Sequence, residues 1–397
     1  MKKWPSVVAI FILSVALVLG VGCGGGEGAE GVREVKFGVG LPQRGIWGAM
    51  VGTPIKQGYE LANDLIGEFT VAGQRYKWNL IFEDNGWSSQ GGVASATKLI
   101  FEDKVNIMLQ VGGDAPLAAE PICEQSGVIL FAMGTPLDTF GQDKPHTFQP
   151  SPCAPPQAAA LFKYVSEAHP EMKTAAAASD DTVSGHMFAE AAAMAAEYYG
   201  IEWLGTEYYS PDVVEFYPVA TKIASKNPDI CYTDPRAIVP LREMGWEGTT
   251  CFSWWASDIG VGMGWENIQG HLVYYPMPFG EGLPEPVIEI AAEYEQRFGV
   301  EFSQMSYYSV IELYYLTDAL KKAGTVDDVD KIIATLETET LDSPVGPVRF
   351  GLKELDGIGH QLLMPCTVGE IRGEEYHIVL EMSTDEAEAL TVEIFGK

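Results

Sequence analysis

The sequence predicts an α/β protein built as two doubly wound parallel-sheet lobes, on three observations. Residues 106–140 (NIMLQVGGDAPLAAEPICEQSGVILFAMGTPLDTF) read as strand, glycine turn, short helix, strand and small-polar turn, which is one βαβ unit. The alternation of strand and helix patterns runs from residue 35 to this unit, then starts again at residue 174. Proline-rich stretches at 146–157, 276–278 and 343–347 break the rhythm where the chain would cross between lobes. At 397 residues the chain is also too long for one ordinary core.

The 106–140 unit is the centre of the reading. Its first apolar run is too short for an ordinary helix and ends in Gly112-Gly113-Asp114. Asp114 is placed to cap the next helix, with Pro116 in its first turn and Gly127 at its end. The second apolar run ends in Gly134-Thr135. Both turns leave the carboxyl ends of neighbouring strands, where open α/β sheets bind ligands. The glycines expose backbone N–H groups and Thr135 adds a hydroxyl, so the unit is expected to form one wall of a small-molecule cleft.

Taken in order, residues 35–41 form the first strand, 45–48 a loop, and Thr53-Pro54 opens a helix to residue 66. Residues 77–82 are a strand ending at Asp84-Asn85-Gly86-Trp87, and 92–103 a helix. After the first crossing come an alanine-rich strand at 174–178, a turn at 180–185 and a helix at 186–199. Strands at 202–208, 229–233, 249–253 and 270–275 alternate with helices at 215–225 and 236–244. Helices at 284–298, 306–323 and 327–337 follow, then short strands at 348–350, 363–371 and 376–380. The crossings divide the chain into lobe 1, residues 35–149 with 277–342, and lobe 2, residues 150–276 with 343–397.

The N-terminus predicts export. Lys2 and Lys3 precede an uncharged apolar stretch at 7–19, then Gly20-Val21-Gly22-Cys23. The stretch is short for a membrane span, which needs about 20 apolar residues. The small residues before Cys23 resemble a bacterial lipobox, with Gly20 where leucine is usual and Leu19 one place further back. The resemblance implies a signal peptide at 1–22, a lipid on the Cys23 thiol, and a glycine-rich tether at 23–34. An uncleaved anchor and ordinary secretion are the alternatives, and each puts the protein outside the cytoplasm.

Composition excludes some partners. The formal charge of −30 repels nucleic acid and anionic membrane surfaces. Cys123, Cys153, Cys231, Cys251 and Cys366 show no metal-ligand spacing and are odd in number, so they read as small core residues, with Cys231 and Cys251 as strand neighbours. Gly38-Val39-Gly40 lacks the third glycine of a dinucleotide fingerprint. No phosphate loop, G-x-S-x-G elbow or H-E-x-x-H is present, and the histidines are scattered. The expectation is a binder, not an enzyme, with no cofactor and no metal.

Several segments together resemble the type I periplasmic binding proteins of the branched-chain amino acid class, the extracytoplasmic receptors of ABC importers. They are VKFGVGLP, WGAM, GYELAND, LIFEDN, AAEPICEQSGVILFA, NPDICYT, LREMGWEG, IQGHLVYYPMP and YYSVIELYYLTDALKKAG, in that order. The resemblance implies that the crossings form a three-segment hinge and that the lobes close on a ligand. It puts Trp47 where an aromatic packs on the ligand and Gly113 where a serine meets the ligand carboxylate. Gly134 and Thr135 stand at the pair that holds the amino acid's carboxylate and amine. Ser184 replaces a tyrosine that covers the ligand, and Trp255 falls at or beside the acid that holds the amine. Asp114 or Asp234 could supply the missing acid; otherwise the ligand lacks an amine, since a buried ammonium without a partner is costly. Trp254 and Trp255, with Trp47 and Trp87, suit a flat or apolar ligand body.

The expected function is a lipid-tethered receptor in the periplasm or at the cell surface that delivers an amino acid or a small hydrophobic or aromatic carboxylate to an ABC permease. A sensor of the same fold, signalling instead of transporting, is the alternative. The lipid is its only expected hold on the membrane.

Overall fold

The computed structural model describes residues 31–134, 139–211, 213–253, 257–274 and 283–396. Its architecture lies in the unit Val32–Lys397. Among the described residues, the first sheet contains β1 (Arg33–Leu41), β2 (Phe69–Val71), β3 (Gln74–Asp84), β4 (Ile107–Val111), β5 (Ile129–Met133) and β6 (Thr147–Phe148), in the order β2-β3-β1-β4-β5-β6. The second half of the chain adds β7 (Thr174–Asp180), β8 (Glu202–Tyr209), β9 (Ile230–Thr233), β10 (Thr249–Phe252) and β11 (Leu272–Val273). A separate pair, β12 (Arg349–Gly351) and β13 (Gln361–Leu363), precedes β14 (Cys366–Arg372) and β15 (Glu375–Met382). The second sheet runs β15-β14-β11-β10-β9-β7-β8.

The two sheets repeat one plan. β3-β1-β4-β5-β6 and β8-β7-β9-β10-β11 are both parallel throughout, with the strand order reversing beside β1 and beside β7. Such reversals open a crevice at the carboxyl ends of the strands. β4 and β5 are buried along their whole length, as strands covered on both faces must be. The helix Thr53–Ile66 buries Ile55, Tyr59, Leu61 and Ala62 on one face. It lies close to the helix Gln304–Ala323 because Gly58 has no Cβ: one placed there would come 2.1 Å from Ser309 Oγ and 2.5 Å from Ser306 O. The second sheet uses alanine to the same end. Ala175 and Ala177 of β7 pack with the helices Ala154–Ala168 and Val183–Tyr198, themselves rich in buried alanine, while Ala176 and Ala178 pack on the other face with Val219, Ala220 and Ile223.

Several local expectations are corrected. Residues 45–48 were expected as a loop, but they are helical: Gly45–Trp47 continues through a π-helical turn, Gly48–Gly52, into Thr53–Ile66. The helix Ala154–Ala168 was hidden by its prolines. Pro155 and Pro156 fall in its first turn, where a missing N–H costs nothing. The turn expected at 180–185 is shorter, because Thr182 caps a helix beginning at Val183. The run 363–371 is divided between β13 and β14. A last helix, Thr384–Phe395, starts at a capping box of Ser383 and Glu386 that the sequence reading passed over.

The core explains how the chain passes between sheets. Phe148, Val348, Phe350, Leu362 and Met364 all join the hydrophobic core of the first sheet, whereas Cys366 and Val368 join that of the second. The strand pair β12–β13 therefore packs with the first core, although the sequence reading puts residues 343–397 with the second lobe. Part of the second crossing, 276–278, lies outside the described residues. Cys123, Cys153, Cys231, Cys251 and Cys366 are buried and free; Cys231 and Cys251 lie on paired strands, β9 and β10.

One buried acid sits in the first core. Tyr59 Oη donates to Glu312 Oε2 at 2.6 Å, and both side chains are sealed from solvent. Burial pushes the Glu312 carboxyl from 4.5 up to about 8. Between those values the folded chain holds a proton that the unfolded chain has released. Its contribution to folding is therefore full at low pH and is lost as pH rises toward 8. Glu312→Gln has no proton to lose. Chemical denaturation should show the loss of stability between about pH 5 and about pH 8 shrinking by about 3 kcal/mol in this variant. An unchanged pH dependence would mean that Glu312 is ionised in the core.

Candidate functional site

Parallel sheets leave their ligand-facing turns at the carboxyl ends of strands, and here both sheets contribute to one place. A cavity of about 430 Å3 is lined from the first sheet by Trp47 beyond β1, Trp87 beyond β3, and Gly113 and Asp114 beyond β4. From the second sheet it takes Asp180 at the end of β7 and Ser184 beyond it, Tyr209 at the end of β8, Asp234 and Arg236 beyond β9, and Phe252 and Ser253 at β10. A second, more apolar space of about 230 Å3 shares Trp47, Trp87, Ser184, Phe188, Phe252 and Ser253 with it. It runs back along Met50, Met133, Gly134, Met187, Gln304 and Met305. The volumes suit a small molecule.

The wall on the first sheet is built around Trp87. Its ring stacks on Trp47 with centroids 4.7 Å apart and planes 4° from parallel. Its backbone is left-handed, φ +56°, a conformation that costs a non-glycine residue about 1 kcal/mol or more. Buried Asn85 holds it there. The Asn85 side chain accepts from Trp87 N–H at 3.0 Å and donates to Gly40 O and Val111 O at 3.1 and 3.0 Å. The other face of the ring needs Gly112 and Gly113. A Cβ at Gly112 would lie 1.9 Å from the Trp87 ring, and one at Gly113 2.8 Å from its Cδ1. Gly112 N–H is spent on Met133 O at 3.0 Å. The glycine pair expected to offer bare N–H groups thus also seats an indole.

The wall on the second sheet is charged. Arg236 grips Asp234 with Nε to Oδ1 at 2.9 Å and Nη2 to Oδ2 at 2.7 Å, while its guanidinium lies 4.6 Å from the Phe216 ring centroid. The Asp234 hydrogen bond holds the guanidinium above its usual range. Tyr209 Oη approaches Asp234 Oδ2 at 3.4 Å. Asp180 accepts from Thr182 Oγ1 at 3.0 Å, and burial raises its carboxyl above the usual range. The walls meet where Ser184 Oγ donates to Gly134 O at 2.6 Å.

Of the residues singled out from sequence, Trp47, Gly113, Asp114, Gly134, Ser184 and Asp234 line these adjoining spaces. Asp114 precedes the helix Ala115–Ser126 without a side-chain cap bond. Both Asp234 oxygens face Arg236, so a ligand amine would have to compete for them. Thr135, Trp254, Trp255 and Cys23 lie outside the described residues. Asp180, Arg236, Phe252 and Gln304 were not singled out. Asp180 was findable, since it opens the turn after an expected strand. Gln304 carries no signal beyond a place near a helix start. Among the described residues, no group of three or more His, Cys, Asp or Glu is arranged to hold a metal ion, and no helix is long and apolar enough to cross a membrane.

A family model described as periplasmic binding protein matches residues 34–375. The chain belongs to that family. Its fold is the type I arrangement of two α/β lobes, and the family is one of solute-binding proteins, which are not enzymes. A leucine-binding protein from Thermotoga maritima is similar over 88% of this chain and 99% of its own, with a TM-score of 0.73 and 18% identity. A solute-binding protein of an ABC transporter from Rhodopseudomonas palustris, in complex with 3,4-dihydroxybenzoic acid, is similar over 88% and 98%, at 0.75 and 19%. A leucine-, isoleucine-, valine-, threonine- and alanine-binding protein from Brucella ovis, in a closed conformation, is similar over 90% and 97%, at 0.74 and 17%. No curated protein sequence matches the chain.

The family site stands on the seating of Trp87. Gly112→Ala should lower stability by about 2 kcal/mol, through the left-handed backbone and the displaced ring together. It should also abolish the circular-dichroism couplet of the stacked indoles. Trp87→Ala in the same chain should recover part of the stability, a non-additivity that denaturant unfolding measures. Additive losses would show that Gly112 and Trp87 act separately.

Proposed function

We propose that this protein is the solute receptor of an ABC importer. It is tethered outside the cytoplasm, in the periplasm or at the cell surface, by a lipid on Cys23, and it closes its lobes over one small organic acid for delivery to the permease. The observation that carries the reading is the convergence of strand ends from both sheets on one cavity, tryptophan on one side and charge on the other. The division into lobes, 35–149 with 277–342 and 150–276 with 343–397, belongs to this reading, with β12–β13 packing on the first core.

The solute is an amino acid or a small hydrophobic or aromatic carboxylate. Its carboxylate takes the backbone of Gly113 and Gly134 and the hydroxyl of Thr135, where charge-assisted hydrogen bonds are strongest. Its body packs on Trp47 and on the Trp254-Trp255 pair. Ser184 leaves room that a larger side chain would fill. Asp180 decides whether an amine is accepted, because Asp234 is already gripped by Arg236 through both oxygens while Asp180 accepts from the neutral Thr182 hydroxyl. Asp114 stands at the mouth as a weaker partner. Among the compared structures, one carries a dihydroxybenzoate and others are described as leucine-binding, so both ligand classes occur on this fold.

Mass spectrometry of solute retained through purification, followed by a thermal-shift panel of amino acids and benzoates, tests this. A true ligand at ~100 times its Kd adds roughly 2.7 kcal/mol of stability. If the ligand is an amino acid, Asp180→Asn should weaken it about 10- to 100-fold, the worth of a hydrogen bond to a charged group, and leave benzoates unaffected. A retained solute of neither class, or no shift with any acid, would refute the proposal.

A further inference from the structure

The inner end of the cavity is mostly apolar, with Gln149, Ser151 and Gln304 among the buried polar side chains in its lining. Gln304 is fully buried, and neither Nε2 nor Oε1 has a hydrogen-bond partner among the described residues. It lines the space beside Met50, Val51, Met133 and Met305. The polar side chains beside it in sequence are committed elsewhere: Ser303 Oγ caps the helix Gln304–Ala323 by accepting from Ser306 N–H, and Ser306 Oγ donates to Ser303 O at 2.7 Å. Buried amides are rarely kept unpaired in folded proteins. A methionine or leucine would fill this wall without the desolvation cost. No described residue supplies a partner, and the amide faces the cavity lining, so the ligand is its natural partner.

We propose that Gln304 is a specificity-determining residue: its amide hydrogen-bonds a polar substituent, a hydroxyl or carbonyl oxygen, on the part of the ligand that enters the methionine-lined space. The inference rests on the ligand classes given above and narrows them. A purely aliphatic or unsubstituted aromatic tail leaves the amide unsatisfied inside a sealed site, whereas a hydroxylated tail of the same size satisfies it. Discrimination by a buried hydrogen-bonding group is strong because the wrong ligand strands that group. The methionines around it adapt to the shape of the remaining tail.

Matched pairs test it: benzoate against 3- and 4-hydroxybenzoate, and valine against its near-isostere threonine, each titrated calorimetrically into wild type and Gln304→Leu. Wild type should prefer the hydroxylated member of the pair it binds by at least about tenfold, and Gln304→Leu should level or reverse that preference. Ligand-free Gln304→Leu should melt at or above the wild-type temperature, because it removes an unpaired buried amide. A lower melting temperature together with equal weakening of both members would assign Gln304 a structural role and overturn the inference. Gln304→Met repeats both measurements if the leucine variant does not fold. Wild type binding no member of either pair would instead fail the ligand reading on which the inference stands.

Discussion

The seating of the Trp87 ring on the bare backbone of Gly112 and Gly113 is the contact on which the rest of the site depends. It fixes the turn after β3 against the turn after β4, and so sets the wall that Trp47 then extends by stacking. Buried Asn85 makes the strained Trp87 backbone tenable by tying it to β1 and β4. Strain, bare glycine and a buried amide are each unfavourable in an ordinary strand-end loop. Together they produce a rigid aromatic surface at the switch point of the sheet, where a ligand body can rest without moving the protein.

Chemistry is divided between the two sheets. The first presents indoles, methionines and backbone; the second presents Asp180, Asp234, Arg236 and Tyr209. On the proposed reading the first sheet takes the solute's carboxylate and flat body, and the second decides whether an amine is accepted. Ser184 to Gly134, a polar link across the opening, is a neutral hydrogen bond, and such bonds contribute only about 1 kcal/mol net. It can hold the two edges together without locking them, which a protein that must both capture and release requires.

The order of elements was legible because the central strands of both sheets are parallel and covered, so they read as apolar runs with glycine or proline at the ends. What escaped had a physical reason in each case. The helix Ala154–Ala168 begins with prolines that look like a break but sit in its first turn. The packing of β12–β13 with the first core depends on side chains distant in sequence, as with Phe148 and Phe350. At the site, residues at strand ends could be named, since the fold plan puts ligands there. The fork of Arg236 on Asp234 could not, because it is a side-chain geometry within one turn, and the place of Gln304 in the wall could not, because it needs a distant helix brought to the strand ends.

A crystal structure of the protein with the solute it retains, or with the acid that most raises its melting temperature, tests the central claim most directly. Density enclosed by the stacked Trp47 and Trp87 on one side and by Asp180, Ser184 and Phe252 on the other is the expected result. Density on an outer face of either sheet, with the space beside Trp87 filled only by solvent, would contradict it.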